Sequence, residues 1–354
     1  MHDLIVVGSG VAGSFLTSRL KDMDILVLEK DRKTKTDSGI VSSKISKFLP
    51  KKFLDREIKE MKFVSPSGLE FSLKRERPFA YFLKKDFSCL LRKEAKKNSK
   101  IRYETVRSIE YLEDSVIVYT DDNDYRCSML VGADGASSVV RKTAEIKDPG
   151  LCLGMLVRAR IESEVKIYMN KYFSPDFFSW KLPGEYGLIT SIRPREYMDY
   201  FKTKLGLPEG RLYSSLIPFG YTKSYYHRTI LIGDSCGMTK PLTGGGIIFS
   251  LTACNHAKKA IEKAFDNGKF NQSFLKQYEK AWKKDFGSEI KRQMIFRKIY
   301  RNLTNKEIDG LFKQFGPHIE RLDDFDYDHF SNSWRKMPKW GLFKFIISKL
   351  NLLF

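Results

Sequence analysis

The chain has 354 residues, 42% apolar and 30% charged, proportions that exclude a disordered or collagen-like polymer and describe a globular one. No run approaches the roughly 18–20 continuous apolar residues of a membrane-spanning helix. The net charge of +20 favours anionic partners such as phospholipid surfaces, phosphorylated substrates or nucleic acid, although the lysines are spread along the whole chain as solvated faces also require. In chain order, Leu4-Ile5-Val6-Val7 is a β-branched apolar run suited to a strand buried on both faces. Gly8-Ser9-Gly10-Val11-Ala12-Gly13 follows at once. Gly8 permits a tight turn, Gly10 lets backbone approach a pyrophosphate, and Gly13 lets the next helix pack on the strand. That helix, Ser14 to Leu20, directs its first N–H groups at the phosphates. A second strand, Asp24 to Leu28, ends in Glu29, 21 positions after Gly8, where an acid can hold a ribose hydroxyl pair. The sequence opens directly on the first strand, so no signal or transit peptide is expected.

Residues 52–82 read as strand-rich, with the turn Ser65-Pro66-Ser67-Gly68 inside a hairpin. Residues 85–97 read as a basic amphipathic helix, and 100–112, 115–120 and 125–131 as a strand meander. The meander ends in Gly132-Ala133-Asp134-Gly135, a glycine–acid–glycine turn that opens another helix. Residues 151–222 form an aromatic-rich strand region. Thr229 to Ile232 then delivers Gly233-Asp234, whose carboxylate suits ribityl hydroxyls. Gly244-Gly245-Gly246-Ile247 opens a helix over bare backbone, a costly run that a planar or anionic ligand explains. From about 268 onward the chain reads as mostly helical, with breaks expected at Gly310, Gly316-Pro317 and Pro338. The three glycine pieces in this order specify an FAD site. The expected fold is α/β, a Rossmann-type FAD-binding domain (1–50, 83–148 and 223–266) interrupted by an antiparallel-sheet substrate domain (51–82 and 149–222), with a helical C-terminal region (267–354). Cys89, Cys127, Cys152, Cys236 and Cys254 are odd in number and lack C-x-x-C spacing, so a reducing, cytoplasmic setting and no metal site are expected.

Together these motifs resemble FAD-dependent oxidoreductases of the p-hydroxybenzoate hydroxylase type. Pro175-Asp176-Phe177-Phe178-Ser179-Trp180-Lys181-Leu182-Pro183 narrows the likeness, because it resembles the P-x-x-[YF]-x-W-x-[FL]-P signature of geranylgeranyl reductases. Tyr278-Glu279-Lys280-Ala281-Trp282 with Phe286-Gly287-Ser288-Glu289-Ile290, and the loop Ser38-Gly39-Ile40-Val41-Ser42, resemble two further stretches of that family. The resemblance implies FAD contacts at Ala12, Glu29, Ser38, Gly39, Val41, Lys84, Val106, Asp234, Gly246 and Ile247, alongside Gly8, Gly10, Gly13, Asp134, Gly244 and Gly245 from the motifs. Two positions depart from the family: Ser38 replaces a cysteine, and Lys84 replaces an arginine and loses its planar fork.

The implied activity is reduction of carbon–carbon double bonds in geranylgeranyl chains of archaeal-type membrane phospholipids. Such chemistry needs hydride from reduced flavin, a proton, and a dry apolar slot. Residues 168–219 carry twelve aromatic residues, of which Tyr172, Phe178 and Trp180 are the candidate substrate contacts. No catalytic acid stands out; Ser38, Tyr172, Cys236 and a flavin-bound water are the open choices, and the electron donor, NAD(P)H or ferredoxin, is unassigned. A flavin monooxygenase or halogenase is the alternative enzyme, although halogenases carry tryptophan where this chain has Phe178. A flavin-bearing lipid- or RNA-binding protein is the alternative of another class. The expected partners are an isoprenoid lipid and, peripherally, an anionic membrane, with a monomeric chain and no nucleic acid. Leu342 to Phe354, beside Trp340, reads as an interfacial helix or a last core helix.

Overall fold

The computed structural model describes residues 1–34, 39–323, 325–326 and 328–336; Ser38, Pro338, Trp340 and the 342–354 stretch lie outside the described residues. Strand β1 (His2–Val7) sits at the centre of a mainly parallel sheet, with Leu4, Ile5 and Val6 fully buried. It pairs in parallel with β2 (Ile25–Leu28) on one side and β11 (Asp124–Gly132) on the other. β8 (Lys100–Arg102) extends the sheet past β2, and β18 (Thr229–Leu231) and β17 (Tyr225–Tyr226) extend it past β11. Register aligns Val7 with Gly132 and Gly132 with Leu231, so all three glycine motifs leave the sheet at one carboxyl edge. β9 (Val106–Tyr111) and β10 (Val116–Thr120) complete the sheet on the first half of β11. Helix α1 (Val11–Thr17) packs against α2 (Phe87–Ala95) and α5 (Ile247–Asn267), while α3 (Val139–Thr143) follows the second motif.

A second sheet of seven strands runs β16 (Arg211–Phe219), β12 (Gly150–Arg158), β15 (Glu185–Thr190), β14 (Ser179–Leu182), β13 (Lys166–Tyr168), β5 (Glu60–Val64) and β6 (Glu70–Lys74). Its neighbours are antiparallel except β13 and β5, which are parallel. Side-chain alternation sends the aromatic residues to opposite faces. Tyr168, Phe173 and Tyr186 pack under α4 (Pro194–Lys204) through Met198 and Phe201, whereas Phe177, Trp180, Leu182 and Ile189 face a small sheet of β3 (Ile40–Ser42), β7 (Ala80–Leu83) and β4 (Leu54–Ile58). The helix α4 interrupts the region read as strands; Pro194 opens it at the first helical position, where a proline costs no hydrogen bond.

The C-terminal helices are α6 (Gln272–Trp282), α7 (Ser288–Arg301), α8 (Asn305–Glu320) and α9 (Phe330–Trp334). Gly310, Gly316 and Pro317 do not break the chain as expected but lie inside α8. The helix starts instead at Thr304, whose hydroxyl and backbone form a capping box with Glu307. Gly316 is a seat, since a Cβ there would stand 3.3 Å from the Phe71 ring. Phe312 packs on the same ring at 5.0 Å, and Asp309 accepts hydrogen bonds from Ser65 and Ser67, so α8 is fixed onto the β5–β6 hairpin strongly enough to override local breakers. The α6 motif has a clear physical use. The Tyr278 hydroxyl donates to Leu231 O (2.9 Å), Glu279 accepts from Ser224 N (2.8 Å), and the Trp282 indole donates to Ser224 Oγ (2.9 Å). These bonds clamp the strand that delivers Gly233 and Asp234.

Candidate functional site

A continuous cavity of about 730 Å³ runs from the glycine loop of β1 to the aromatic face of the seven-stranded sheet. Its first part is built by close backbone packing. Gly8 has φ +97°, and a Cβ there would overlap the Ala133 carbonyl; one at Gly13 would overlap the Gly8 carbonyl. A Cβ at Gly10 would meet nothing within 4 Å, so the loop leaves open space where a pyrophosphate needs close approach. Gly10 caps α1 and Gly246 caps α5 with no side-chain cap bond, which leaves their first-turn N–H groups available to a ligand.

Glu29 lines this part of the cavity. One carboxylate oxygen accepts from Ser9 N (2.8 Å) and Ser9 Oγ (2.9 Å), with Arg92 at 3.5 Å; among the described residues the other accepts only from Asp31 N (3.1 Å). A carboxylate has about four acceptor sites, so capacity remains for a ribose hydroxyl. Arg92, also on the wall, was hidden in the sequence among the lysines of a basic helix. It donates to Asp31 O and Arg32 O and holds the turn after Glu29 in place.

Asp134 gives a further test of fit. Burial pushes its carboxyl up, against hydrogen bonds from Ser138 and the start of α3. Oδ2 accepts from Val139 N (2.7 Å), but buried Oδ1 has no partner among the described residues. Such an orphan is costly unless a ligand donor satisfies it. Asp234 stands beside the third loop, its Oδ1 3.3 Å from where a Gly246 Cβ would lie. Open backbone, an acid with spare acceptor capacity and an orphaned carboxylate oxygen on one wall fit a dinucleotide with ribose and ribityl hydroxyls.

The structure brings Gly8, Gly10, Ala12, Glu29, Val41, Val106, Asp134, Asp234, Gly244, Gly245, Gly246 and Ile247 onto this wall, with Gly13 supporting it from behind. Gly39 and Lys84 line a neighbouring cleft with Arg56, Phe82 and Arg158 instead. Phe178 and Trp180 line the apolar part of the main cavity. Trp180 is seated on Gly187, its cross-strand partner, where a Cβ would overlap the indole. Tyr172 does not join them: it follows Asn170 in a turn and is 64% exposed. Cys236 is also misplaced as a proton donor, because its thiol is fully buried against Leu231 O and Gly233 O, and burial pushes it well up.

Two clusters had no signal in the sequence. Lys240, before the triple glycine, pairs with fully buried Asp328 at 2.7 Å, and Asp328 also accepts from Ser42. Lys44 joins Asp326 at 2.6 Å and His329 at 3.1 Å, so these contacts clasp the segment before α9 to both loops. Farther along the cavity, Asp176, Arg297 and Tyr300 reach the wall. Burial lowers Arg297 to about 10, and Lys171, behind Tyr300, to about 8, although Asp176 opposes both shifts.

No protein-family model matches the chain. It is 25% identical to digeranylgeranylglycerophospholipid reductase 2 of Methanococcoides burtonii, over 88% of this chain and 87% of that protein. A geranylgeranyl bacteriochlorophyll reductase-like protein from Thermoplasma acidophilum superposes with a TM-score of 0.84 at 16% identity, covering 99% of both chains. A halogenase solved in complex with FAD superposes with a TM-score of 0.69 at 12% identity, over 90% of this chain and 85% of that one. By sequence similarity over most of its length the chain is an oxidoreductase related to proteins named digeranylgeranylglycerophospholipid reductase, and it shares the fold of the geranylgeranyl bacteriochlorophyll reductase-like protein and of the halogenase.

Proposed function

We propose that the chain is an FAD-dependent reductase that saturates carbon–carbon double bonds of geranylgeranyl chains on isoprenoid membrane phospholipids. The observation that carries this reading is the continuity of one cavity, from a dinucleotide cradle to a slot walled by Phe177, Phe178, Trp180, Leu182 and Ile217. The named relatives supply the substrate class. When bound, reduced flavin supplies the hydride that an unactivated alkene requires. The protein's own part is to bind, orient and dry. Glu29 and the Gly8–Gly13 loop would hold the adenosine ribose and pyrophosphate, and Asp134 and Asp234 the hydroxyls of the chain linking them to the ring. The Gly244–Gly246 backbone leaves room for a flat ring. Trp180 and Phe178, held by the Gly187 seat and by each other at 6.0 Å, keep water from a prenyl chain. Lipid would approach at the edge strand β16, where Ser214 and Ser215 are both exposed and on the cavity wall. No helix among the described residues is long and apolar enough to cross a membrane, so the contact with an anionic lipid surface would be peripheral.

The test is direct. The purified chain should be yellow and release FAD on denaturation. Reduced without oxygen and mixed with a geranylgeranyl phospholipid, it should add two hydrogens per double bond by mass spectrometry. Aerobic incorporation of oxygen or halide into a product would establish the alternative chemistry instead, and a chain that takes up no flavin would refute both.

A further inference from the structure

We infer that one face of α7 carries a subsite for a phosphate ester, buried in the wall of the prenyl slot and formed by Arg297 and Tyr300 with Lys171 behind them. The inference deepens the prenyl-reductase reading and rests on it for the source of the phosphate. Gln293, Arg297 and Tyr300 recur at helical spacing, so they share a face. Gln293 fixes that face to the cofactor loops by accepting from Leu242 N at 3.4 Å. At 1.5 Å rise per residue, Arg297 and Tyr300 lie about 6 and 10 Å farther along the slot.

Three features of this face call for an anion. The first is the charge balance. Among the described residues, Arg297, 3% exposed, and half-buried Lys171 are two cations against the single carboxylate of Asp176. That carboxylate is already occupied by Thr190 Oγ1 (2.5 Å), Ser191 N (3.2 Å) and Ser191 Oγ. A buried excess of positive charge is expensive unless paired. The second is unused donor capacity. Arg297 reaches Asp176 through its two terminal nitrogens, at 3.2 and 3.4 Å, while its buried Nε has no partner among the described residues. The Tyr300 hydroxyl, also buried, has none either. Both residues line the cavity, together with the apolar Phe177, Phe296, Ile299 and Leu303. The third is rigidity. Arg297 is stacked on Phe177 at 3.3 Å and near Phe219 at 4.3 Å, and Lys171 lies 3.9 Å over the Tyr300 ring while donating to Tyr300 O and Pro175 O. A pinned guanidinium with a spare N–H, beside an unpaired hydroxyl, matches the tetrahedral oxygens of a phosphate. A phosphate held there would place the neighbouring isoprene units, not the far end of the chain, beside Leu242 and the glycine run.

Calorimetry on the full-length chain as purified tests this with geranylgeranyl phosphate, geranylgeraniol and inorganic phosphate. Tyr300→Phe removes only an oxygen without a partner among the described residues, so it should fold normally; Arg297→Gln is the stronger change. Geranylgeranyl phosphate should bind the parent chain at least about tenfold more tightly than the alcohol, inorganic phosphate should compete with it, and each variant should lose most of that advantage while binding the alcohol unchanged. Equal affinity for phosphate and alcohol, or an advantage that survives both variants, overturns the subsite and leaves the prenyl reading intact. Inorganic phosphate that binds the parent chain and not Tyr300→Phe, with no binding of either prenyl compound, upholds the subsite and removes the prenyl substrate.

Discussion

At the scale of single residues, Glu29 does two tasks with one carboxylate: it holds Ser9 in the loop and keeps acceptor capacity for a ribose. Glu29→Ala should therefore weaken FAD binding by roughly 1.5–3 kcal/mol, about 10- to 150-fold, measured by quenching of flavin fluorescence. An unchanged dissociation constant would mean that the acid serves the loop alone. Gly187 makes a second test. A methyl group there would overlap both the Trp180 indole and the Met155 carbonyl. Gly187→Ala should cost about 1–3 kcal/mol in urea unfolding and slow prenyl turnover more than it lowers flavin content. The gathering of the three glycine loops, Glu29 and Asp234 around one cavity was legible in the sequence because each is demanded by backbone geometry or ligand chemistry at fixed spacing; the place of Gly39, in the neighbouring cleft, was not. Arg92, Asp176, Arg297 and Tyr300 were not, because their roles depend on which partner lies across a fold, and nothing in a basic helix distinguishes a buried arginine from a solvated one. Tyr172 was misread for a related reason: aromatic density says that a region is apolar, not which residue faces the slot.

At the scale of elements, the same contrast recurs. The parallel strands were legible from continuous β-branched runs, and the hairpin from Ser65 to Gly68 from its turn residues. The course of α8 was not, because Gly310, Gly316 and Pro317 are local breakers and the contacts that overrule them come from β5 and β6, about 240 residues earlier. α4 was missed because its aromatic content suits a strand equally well. The segment before α9 yields a pH prediction. Burial tends to raise Asp326, but hydrogen bonds from His329 and Lys44 outweigh it and hold the carboxyl well below the usual range. A depressed folded-state value means that the clasp contributes stability in full at neutral pH and loses it as pH falls below about 4, the unfolded value. Protection factors against hydrogen exchange at residues 326 and 328–331 should fall between pH 5 and pH 3 (both about one unit from that value) more than those in β1. Asp326→Asn should show the fast exchange already at neutral pH; protection equal to the parent's there would count against the clasp.

At the scale of the whole molecule, the seven-stranded sheet leaves β16 as an edge that carries Leu212 and Leu216, 51% and 41% exposed, with Leu216 also on the cavity wall. Exposed apolar side chains beside a cavity mouth, on a chain of net charge +20, suit contact with anionic lipid. Leu212→Asp with Leu216→Asp should reduce binding to phosphatidylserine vesicles by at least about tenfold in cosedimentation, given the transfer energy of two leucines. Raising salt should weaken the parent's binding, since surface attraction is screened. Vesicle binding that is unaltered by the double substitution would assign the contact to another face.

The side-by-side alignment of β1, β11 and β18 has a consequence for how the protein is made. The loop bearing Gly8 leaves the ribosome early, yet its neighbour Ala133 and Gly246, which lines the same cavity, follow much later; at 5–20 residues per second the interval between residues 8 and 246 is about 10–50 s. In that interval the apolar end of β1, Leu4 to Val7, has no partner on its β11 side until Gly132 emerges, and β11 has none on its β18 side until Leu231 does. Parallel pairing at such separations is slow and leaves sticky edges uncovered. Closure of the cavity wall is then a late event, and the nascent chain should depend on chaperones more than its finished, well-packed core would suggest.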